Sequence, residues 1–267
     1  GAARRLVITT PQALTDALVA CGQDYLTGIA RTGAGYLPDA ASARTLLRRE
    51  QILAVAAVPA ALTITGLMFP QTVLLVLTAV LGLFFFIVVG LRLASAILGF
   101  LPLPFEASRR LSDADLPVYT VLVPLYREAG LIDGLVAALC ELDYPAHRLD
   151  IKIIVEADDA ETLAALRRRH LPPWFQVVTV PDAAPKTKPK ALCFALALAR
   201  GSLVTIFDAE DLPEPAQLRR AAERFAAEPR NVACLQARLA WFNWPESWFT
   251  RQMALEYASL FDVFMPA

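Results

Sequence analysis

Histidine and cysteine are scarce in this chain, and it lacks a basic stripe with interleaved aromatic residues. The 267 residues include only two histidines, which leaves little room for a Ser/His/Asp or Cys/His nucleophile or for a histidine-rich metal site. Four cysteines lie far apart without a C-x-x-C pair, so neither a zinc ribbon nor a redox motif is indicated, and we expect free thiols. The net charge is −1 and no basic stripe with interleaved aromatics occurs, which argues against nucleic acid as a partner.

Long apolar runs are what the chain has in abundance. Apolar residues make up 56% of the sequence, and the mean hydropathy of +0.47 is too high for an ordinary soluble protein. Residues 52–69 and 72–91 carry no charge, and each run approaches the roughly 20 residues with which a helix crosses a bilayer. The alternative is a pair of buried core helices, but runs this uniform favour a transmembrane hairpin. The first run begins too far into the chain for a signal peptide.

Arginines flank this hairpin on both sides, whereas its connection, Pro70-Gln71, contains no basic residue. By the positive-inside rule, both flanks are predicted to be cytoplasmic. The apolar stretch from Leu93 to Leu103 either extends the second helix at a tilt or lies along the membrane interface, and the sequence leaves both possibilities open. The arginines that carry this prediction are Arg44, Arg48 and Arg49 before the hairpin and Arg92, Arg109 and Arg110 after it.

The domain plan follows from these boundaries. Residues 1–45 form an N-terminal cytoplasmic segment with a short helix that starts at Pro11, expected to be the tail of a small domain or adaptor. Residues 46–103 hold the hairpin and the interfacial stretch, and residues 104–267 form an α/β domain. Strands and helices alternate in that domain, which predicts a parallel, Rossmann-like sheet. The predicted strands are 118–125, 151–155, 175–180, 203–207 and a further region at 232–242; the predicted helices are 132–142, 159–169, 190–199, 215–227 and 245–264.

One predicted strand ends abruptly in carboxylates. The apolar run 203–207 is followed by Asp208, Glu210 and Asp211, and then by a helix start near Pro213. Ligands bind along the carboxyl edge of open α/β sheets, so acids placed there can hold a divalent metal ion. The alternative is a solvated acidic turn that favours the dipole of the next helix.

Two more strand ends and one helix start carry polar groups. Pro124 ends the first strand and is followed by Tyr126 and Glu128, while the second strand ends in Glu156 and Asp158. Lys188 lies in a basic turn that opens an apolar helix. Taken singly, these are ordinary loops, helix caps and solvated lysines. Together, cations beside a metal-binding acid pair suit a ligand with phosphates, and a nucleoside diphosphate is the candidate.

The order of these motifs resembles that of the family 2 glycosyltransferases, in particular the processive, membrane-embedded branch that includes cellulose synthase and bacterial glucan synthases. The residues from Val121 to Glu128 are similar to the family's V-P-x-Y-x-E pattern, and Lys188 precedes an A-L helix as the family's lysine does. The segment from Asp208 to Pro213 resembles the D-x-D element in its D-A-E-D-x-P form. The resemblance covers about residues 117–267.

The resemblance implies a GT-A fold and a cation, Mg²⁺ or Mn²⁺, held by Asp208 and Glu210, with Asp211 able to share the role. It implies an inverting transfer of sugar from a nucleotide-sugar donor, expected to be a UDP-sugar, to a growing polysaccharide. It also implies a multi-pass protein of the bacterial inner membrane with a cytoplasmic catalytic domain. The residues that it assigns to donor binding are Pro124, Tyr126, Glu128, Glu156, Asp158, Lys188 and Asp208.

The chain also departs from the family pattern. The usual D-D-G-S turn reads Glu156-Ala-Asp158-Asp159, and the second metal acid is Glu210 rather than aspartate. No T-E-D or Q-x-x-R-W motif occurs before Ala267, so the general base is expected beyond this residue, and this chain alone is expected to bind donor without completing transfer. Two alternatives stay open: a glycosyltransferase that loads sugar onto a polyprenyl phosphate, and a degenerate scaffold that binds nucleotide sugar without catalysis. The acceptor is accordingly a glycan or a lipid-linked molecule.

Overall fold

The structure is a computed structural model that describes residues 9–33, 47, 49–99 and 110–265. Its contacts divide the chain into two compact units. The first unit contains an N-terminal helix and an α/β sheet that extends to residue 233. The second contains two long apolar helices and the residues from 234 onward.

A four-stranded parallel sheet organises the first unit. Its strands are β1 (Tyr119–Leu125), β2 (Leu149–Glu156), β3 (Phe175–Val180) and β4 (Leu203–Ile206), in the order β3-β2-β1-β4. The chain adds β2 and β3 on one side of β1 and β4 on the other, so the order reverses at β1. Such a switch point leaves a crevice at the carboxyl ends of the two strands that flank it, here β1 and β4. The predicted α/β class with a parallel sheet is confirmed.

The central strands form because they are apolar and covered on both faces. Every residue of β2 is buried, as are all residues of β1 except the partly buried Pro124. One core cluster includes Val121, Val123 and Ile153 with residues of the first-unit helices, and a second lies on the opposite face around Ile154 and Val178. The helices of this unit are α1 (Pro11–Thr32), α4 (Ile132–Cys140), α5 (Ala160–Arg168), α6 (Lys188–Leu196) and α7 (Gln217–Ala227), with short 3₁₀ turns at Ala129–Leu131 and Ala146–Arg148.

Helix α1 is part of the sheet unit. It begins at Pro11 as predicted, with the Thr10 hydroxyl accepting the Ala13 N–H at 3.2 Å, and it runs further than predicted, to Thr32. Leu26 and Ala30 are buried in the same cluster as Ile154. The N-terminal segment was predicted to be the tail of a separate small domain or adaptor, but the structure packs its helix against β3 and α6.

A buried polar network lies under α1. Asp150 and Lys152 of β2 are almost fully buried, with 3.0 Å between the Asp150 Oδ1 and Lys152 Nζ atoms. Lys152 also donates to the side chain of Gln176, whose Oε1 accepts the Thr15 hydroxyl of α1 at 2.7 Å. At the other end, the Asp150 carboxylate accepts the Thr120 hydroxyl at 2.9 Å. Burial raises the pKa of Asp150, but this effect is outweighed by the Arg200 N–H, the Lys152 ammonium and the Thr120 hydroxyl, which lower it. The net pKa of Asp150 is therefore below the usual range.

The second unit contains α2 (Arg49–Met68), α3 (Pro70–Gly99) and α8 (Trp248–Ala258), followed by a π-helical turn, Ser259–Phe264. Both α2 and α3 are long and apolar enough to cross a bilayer, and α3 packs against α2 and the π-helical turn. Helix α3 continues to Gly99, so the stretch from Leu93 extends the second helix at least that far. The rest of that stretch, the predicted boundaries at 45/46 and 103/104, and the residues Arg44, Arg48 and Arg109 lie outside the described residues.

One predicted strand is wrong. Residues 232–242 form no strand in the structure, and β4 is the outermost strand on its side of the sheet described here. The apolar side chains that suggested a strand are mostly exposed or half-buried, and no neighbouring strand supplies the hydrogen bonds that a strand requires. The predicted helix at 245–264 is present, although it starts at Trp248 behind a Ser247 cap.

Candidate functional site

A cavity of about 320 Å³ opens at the carboxyl ends of β1, β2 and β4, next to the start of α6. It lies at the switch point of the sheet, where open α/β folds bind ligands. Four carboxylates and two lysines line it, so its surface is charged. The lining residues are Pro124, Leu125, Tyr126, Glu128, Glu156, Lys186, Thr187, Lys188, Ala191, Asp208, Ala209 and Glu210.

Most of the residues predicted to bind the donor meet in this cavity. Two predicted site residues, Asp158 and Asp211, lie outside the lining set. The residues come from three strand ends and one helix start, and the outermost, Pro124 and Glu210, are 86 positions apart in the sequence. Parallel strands bring these ends to one edge of the sheet, as predicted. The predicted residues in the lining are Pro124, Tyr126, Glu128, Glu156, Lys188, Asp208 and Glu210.

The acidic segment after β4 forms a tight turn. The Asp208 N–H donates to the Asp211 carboxylate at 2.7 Å, and the Asp211 N–H donates to the Asp208 carbonyl at 3.1 Å. The carboxylate of Asp211 is therefore used to close the turn, which leaves Asp208 and Glu210 to face the cavity. A share of Asp211 in metal binding stays a prediction.

Lys188 forms an ion pair with Asp208 across the cavity. Lys188 is the first residue of α6, and both side chains are about half exposed. An ammonium group thus occupies one side of the acid that is predicted to hold a metal ion. A cation that binds Asp208 must compete with Lys188, and a ligand with phosphates offers Lys188 another anionic partner.

A second lysine, Lys190, is buried beside Glu156. The distance from Lys190 Nζ to Glu156 Oε2 is 2.9 Å, and the same ammonium donates to the Ala183 carbonyl at 2.9 Å. Only 2% of the Lys190 side chain and 8% of the Glu156 side chain are exposed. Lys190 therefore holds the Glu156 carboxylate in place where it lines the cavity.

Lys186 holds the outer rim. Its ammonium lies 2.6 Å from the Asp158 carboxylate and 2.9 Å from that of Asp182. The hydrogen bond that Lys186 donates lowers the pKa of Asp158, and the hydrogen bonds that Lys186 donates to the carboxylates of Asp158 and Asp182 raise the pKa of Lys186. Asp158 therefore does not line the cavity itself, but it forms an ion pair with Lys186, which does.

The loop after β1 carries Tyr126, Arg127 and Glu128. The Tyr126 N–H donates to the Glu128 carboxylate at 3.3 Å, and the Arg127 N–H donates to Asp159 at 2.6 Å. The Arg127 guanidinium lies over the Tyr126 ring, 5.1 Å from its centroid. Asp159 also accepts the Thr162 N–H at 3.2 Å and caps α5. Burial raises the pKa of Asp159, but the hydrogen bonds from the Arg127 and Thr162 N–H groups lower it by more. The net pKa of Asp159 is therefore below the usual range.

The carboxylates of this cavity suit a divalent cation that also binds the phosphates of a ligand. Among the residues that the structure describes, no three His, Cys, Asp or Glu side chains form a metal-binding group. Mg²⁺ needs only one or two protein carboxylates when substrate phosphates and water complete its coordination. Asp208 and Glu210 provide such a pair at the cavity surface.

Sequence reasoning missed three features of the site. It did not assign Lys190 or Lys186, although both lie in the basic turn that it noted, and it named Asp159 only as part of the turn after the second strand. A lysine in an apolar helix was a usable signal for Lys190, because a buried ammonium requires a carboxylate partner. The hydrogen bond from the Arg127 N–H to Asp159 could not be predicted from the sequence, because it depends on the backbone conformation of Arg127.

Comparisons with known proteins show that the chain is similar to glycosyltransferases. A profile of the family described as Glycosyltransferase like family 2 matches residues 117–261. Beta-monoglucosyldiacylglycerol synthase of Synechocystis sp. is 32% identical over 148 residues, which are 55% of this chain and 30% of that protein. Glucomannan 4-beta-mannosyltransferase 2 of Arabidopsis thaliana is 27% identical over 164 residues, which are 58% of this chain and 30% of that protein.

Among solved structures, the mannosyltransferase PcManGT from Pyrobaculum calidifontis, in complex with GDP-Man and Mn²⁺, is similar with 28% identity and a TM-score of 0.45. That similarity covers 56% of this chain and 44% of that chain. The matched part of this chain spans under a third of the length of the two curated relatives.

Proposed function

Because this chain belongs to the Glycosyltransferase like family 2, we propose that its cavity binds a nucleotide sugar and that the chain supplies the donor-binding part of a membrane-bound glycosyltransferase. The resemblance to this family and the GT-A-like α/β class predicted from the sequence are confirmed. One observation carries the proposal: Glu156, Lys188, Asp208 and Glu210 meet in a single cavity at the switch point of a parallel sheet.

In this proposal, one group of residues binds the diphosphate of the donor and another group contacts its nucleoside. Asp208 and Glu210 hold a divalent cation, which when bound would neutralise the diphosphate as it leaves. Lys188 releases Asp208 and binds phosphate oxygens. Tyr126, Glu128 and Glu156 contact the nucleoside, and Lys186 with Asp158 closes the rim. We propose a UDP-sugar as the donor.

Transfer is proposed to proceed with inversion at the sugar carbon. An acceptor hydroxyl attacks from the side opposite the diphosphate, and a carboxylate base takes its proton. The carboxylates of the cavity are assigned to donor and cation, so the base is proposed to be a carboxylate outside this cavity. The acceptor is a growing glycan or a lipid-linked molecule, and a polyprenyl phosphate is the alternative acceptor.

We further propose that α2 and α3 cross the bacterial inner membrane with both flanks on the cytoplasmic side. Their length and apolar composition support crossing, and the absence of a basic residue from Pro70-Gln71 supports the orientation. In this arrangement the cavity faces the cytoplasm, where nucleotide sugars are made.

Calorimetric titration of the detergent-solubilised chain tests the donor assignment. The ligands are UDP, UDP-glucose and GDP-mannose, each with Mn²⁺ and with EDTA. We expect uridine nucleotides to bind only with Mn²⁺, and Asp208→Asn to weaken that binding at least about tenfold, because a charged contact worth about 1.4 kcal/mol corresponds to that factor. Asp133→Asn is the control, because this exposed aspartate on α4 pairs with Arg169 away from the cavity.

Three outcomes have different meanings. Binding of all nucleotides at equal strength with EDTA would remove the metal assignment. Selective binding of GDP-mannose would replace the uridine assignment with guanosine. Metal-dependent binding by a full-length protein that transfers sugar to no glycan or lipid acceptor would support the scaffold alternative over a transferase.

A further inference from the structure

The loop that presents Tyr126 to the cavity contains an unusual backbone conformation. Arg127 has a φ of 60°, and it is the one non-glycine residue with positive φ in the part of the chain that the structure describes. A side chain with a Cβ disfavours this left-handed region, so the surrounding contacts must hold it. Such held conformations tend to occur at functional sites.

The carboxylate of Asp159 provides the contact that holds this conformation. Its Oδ2 accepts the Arg127 N–H at 2.6 Å, while its Oδ1 accepts the Thr162 N–H at 3.2 Å. Asp159 itself is 5% exposed and begins α5. One buried side chain thus fixes the loop after β1 to the helix after β2. A charged acceptor makes each of these hydrogen bonds stronger than a neutral one would.

The backbone conformation of Arg127 determines where Tyr126 and Glu128 lie in the cavity wall. With its backbone in the left-handed region, Arg127 lays its guanidinium over the Tyr126 ring at 5.1 Å, and this ring lines the cavity. If Arg127 relaxed to an ordinary conformation, the chain would turn differently between Tyr126 and Glu128. Both of these residues are lining residues, so the relaxation would reshape one wall of the site.

We propose that Asp159 is a positioning residue of the nucleotide site: by holding the Arg127 N–H, it fixes the left-handed turn that presents Tyr126 and Glu128 to the nucleoside. Asp159 lies outside the lining set, so it acts through Arg127 and not by contact with the ligand. The proposal rests on the proposed function for the identity of the ligand. The part that concerns the loop stands on the geometry alone.

Asp159→Ser separates the two roles of this side chain. Serine is a good helix N-cap, so α5 keeps its first-turn hydrogen bond, but its shorter side chain loses the bond to the Arg127 N–H. Arg127→Gly provides the rescue, because glycine adopts positive φ without a Cβ penalty. Leu166→Ala is the control for general destabilisation, because Leu166 is a buried residue of α5 that is part of the core.

Amide hydrogen exchange without any nucleotide gives the first measurement. In Asp159→Ser, exchange of a peptide covering residues 125–131 should become about tenfold faster, the factor expected for loss of one charge-assisted hydrogen bond. The same peptide in Leu166→Ala should exchange within about twofold of wild type. Unchanged exchange in Asp159→Ser would overturn the proposal, whatever the ligand is.

Titration with UDP and Mn²⁺ gives the second measurement. We expect Asp159→Ser to bind about tenfold more weakly and the double variant with Arg127→Gly to recover to within about threefold of wild type. A weakened single variant without recovery would also overturn the proposal, because the loss would not act through the Arg127 conformation. Failure of the wild-type protein to bind UDP rejects the uridine assignment, while the exchange measurement still decides the role of Asp159.

Discussion

Replacing Lys190 with methionine should destabilise the sheet unit strongly, because it leaves the Glu156 carboxylate buried without its cation. Their charged atoms are 2.9 Å apart, and the two side chains are 2% and 8% exposed. Breaking a buried pair costs about 3–5 kcal/mol, and the cavity beside Glu156 favours the lower end, about 3 kcal/mol. For a unit of about 150 residues this lowers Tm by about 6–12 °C. Differential scanning calorimetry of the detergent-solubilised chain measures the change.

The same substitution at Lys186 is the matched control. Lys186 lies four residues away, but its side chain is 41% exposed and its pairs with Asp158 and Asp182 lie at the surface. Such exposed pairs contribute little to stability, so Lys186→Met should lower Tm far less than Lys190→Met does. Adding Glu156→Gln to Lys190→Met should recover about half of the loss, since the unpaired charge is gone. Equal shifts for the two lysine variants would refute the reasoning.

Three further predictions concern the pocket and the polar network under α1. Lys188→Met removes the ammonium that competes with a metal ion for Asp208. The half-exposed ion pair is worth about 0.2–1 kcal/mol, so titration with Mn²⁺ alone should show binding about 1.4–5-fold tighter than in the wild type. Titration with UDP and Mn²⁺ should show weaker binding, because a phosphate contact is lost. Thr15→Val keeps the volume but loses the 2.7 Å hydrogen bond to Gln176, so Tm should fall by about 2–4 °C in calorimetry. The pKa of Asp150 is lowered by folding, so its contribution to stability is present above its ordinary pKa of about 3.9 and is lost as the pH falls through the lower folded value. Asp150→Asn should therefore flatten the fall of Tm below about pH 4.

The sequence was sufficient where structure is decided locally. The four strands of the sheet lie within two residues of their predicted limits, because each is a largely apolar run that ends at or beside a proline or an acid. The convergence of Glu156, Lys188 and Asp208 followed from the rule that parallel strands share one carboxyl edge. These parts of the site needed no knowledge of side-chain packing.

The features that the sequence did not predict depend on contacts between distant residues. The hydrogen bond from Thr15 to Gln176 joins residues 161 positions apart, so no periodicity in either segment could indicate it. Residues 232–242 were predicted as a strand because they are apolar, yet a strand exists only where a neighbour accepts its hydrogen bonds. For Asp211, residue type suggested a metal ligand, and the hydrogen bond from the Asp208 N–H to its carboxylate could not be predicted from residue type.

The seating of α1 on the sheet has a consequence for anyone who prepares this protein in pieces. The family match begins at residue 117, but the unit that folds around the cavity begins near residue 11. A fragment cut at the family boundary would uncover the apolar surface beneath Leu26 and Ala30 and bring water to Lys152, which is otherwise sealed inside. Such a fragment would be prone to aggregate, and its failure to bind nucleotide would say nothing about the cavity. Expression boundaries for this protein therefore have to retain the helix that the family profile leaves out.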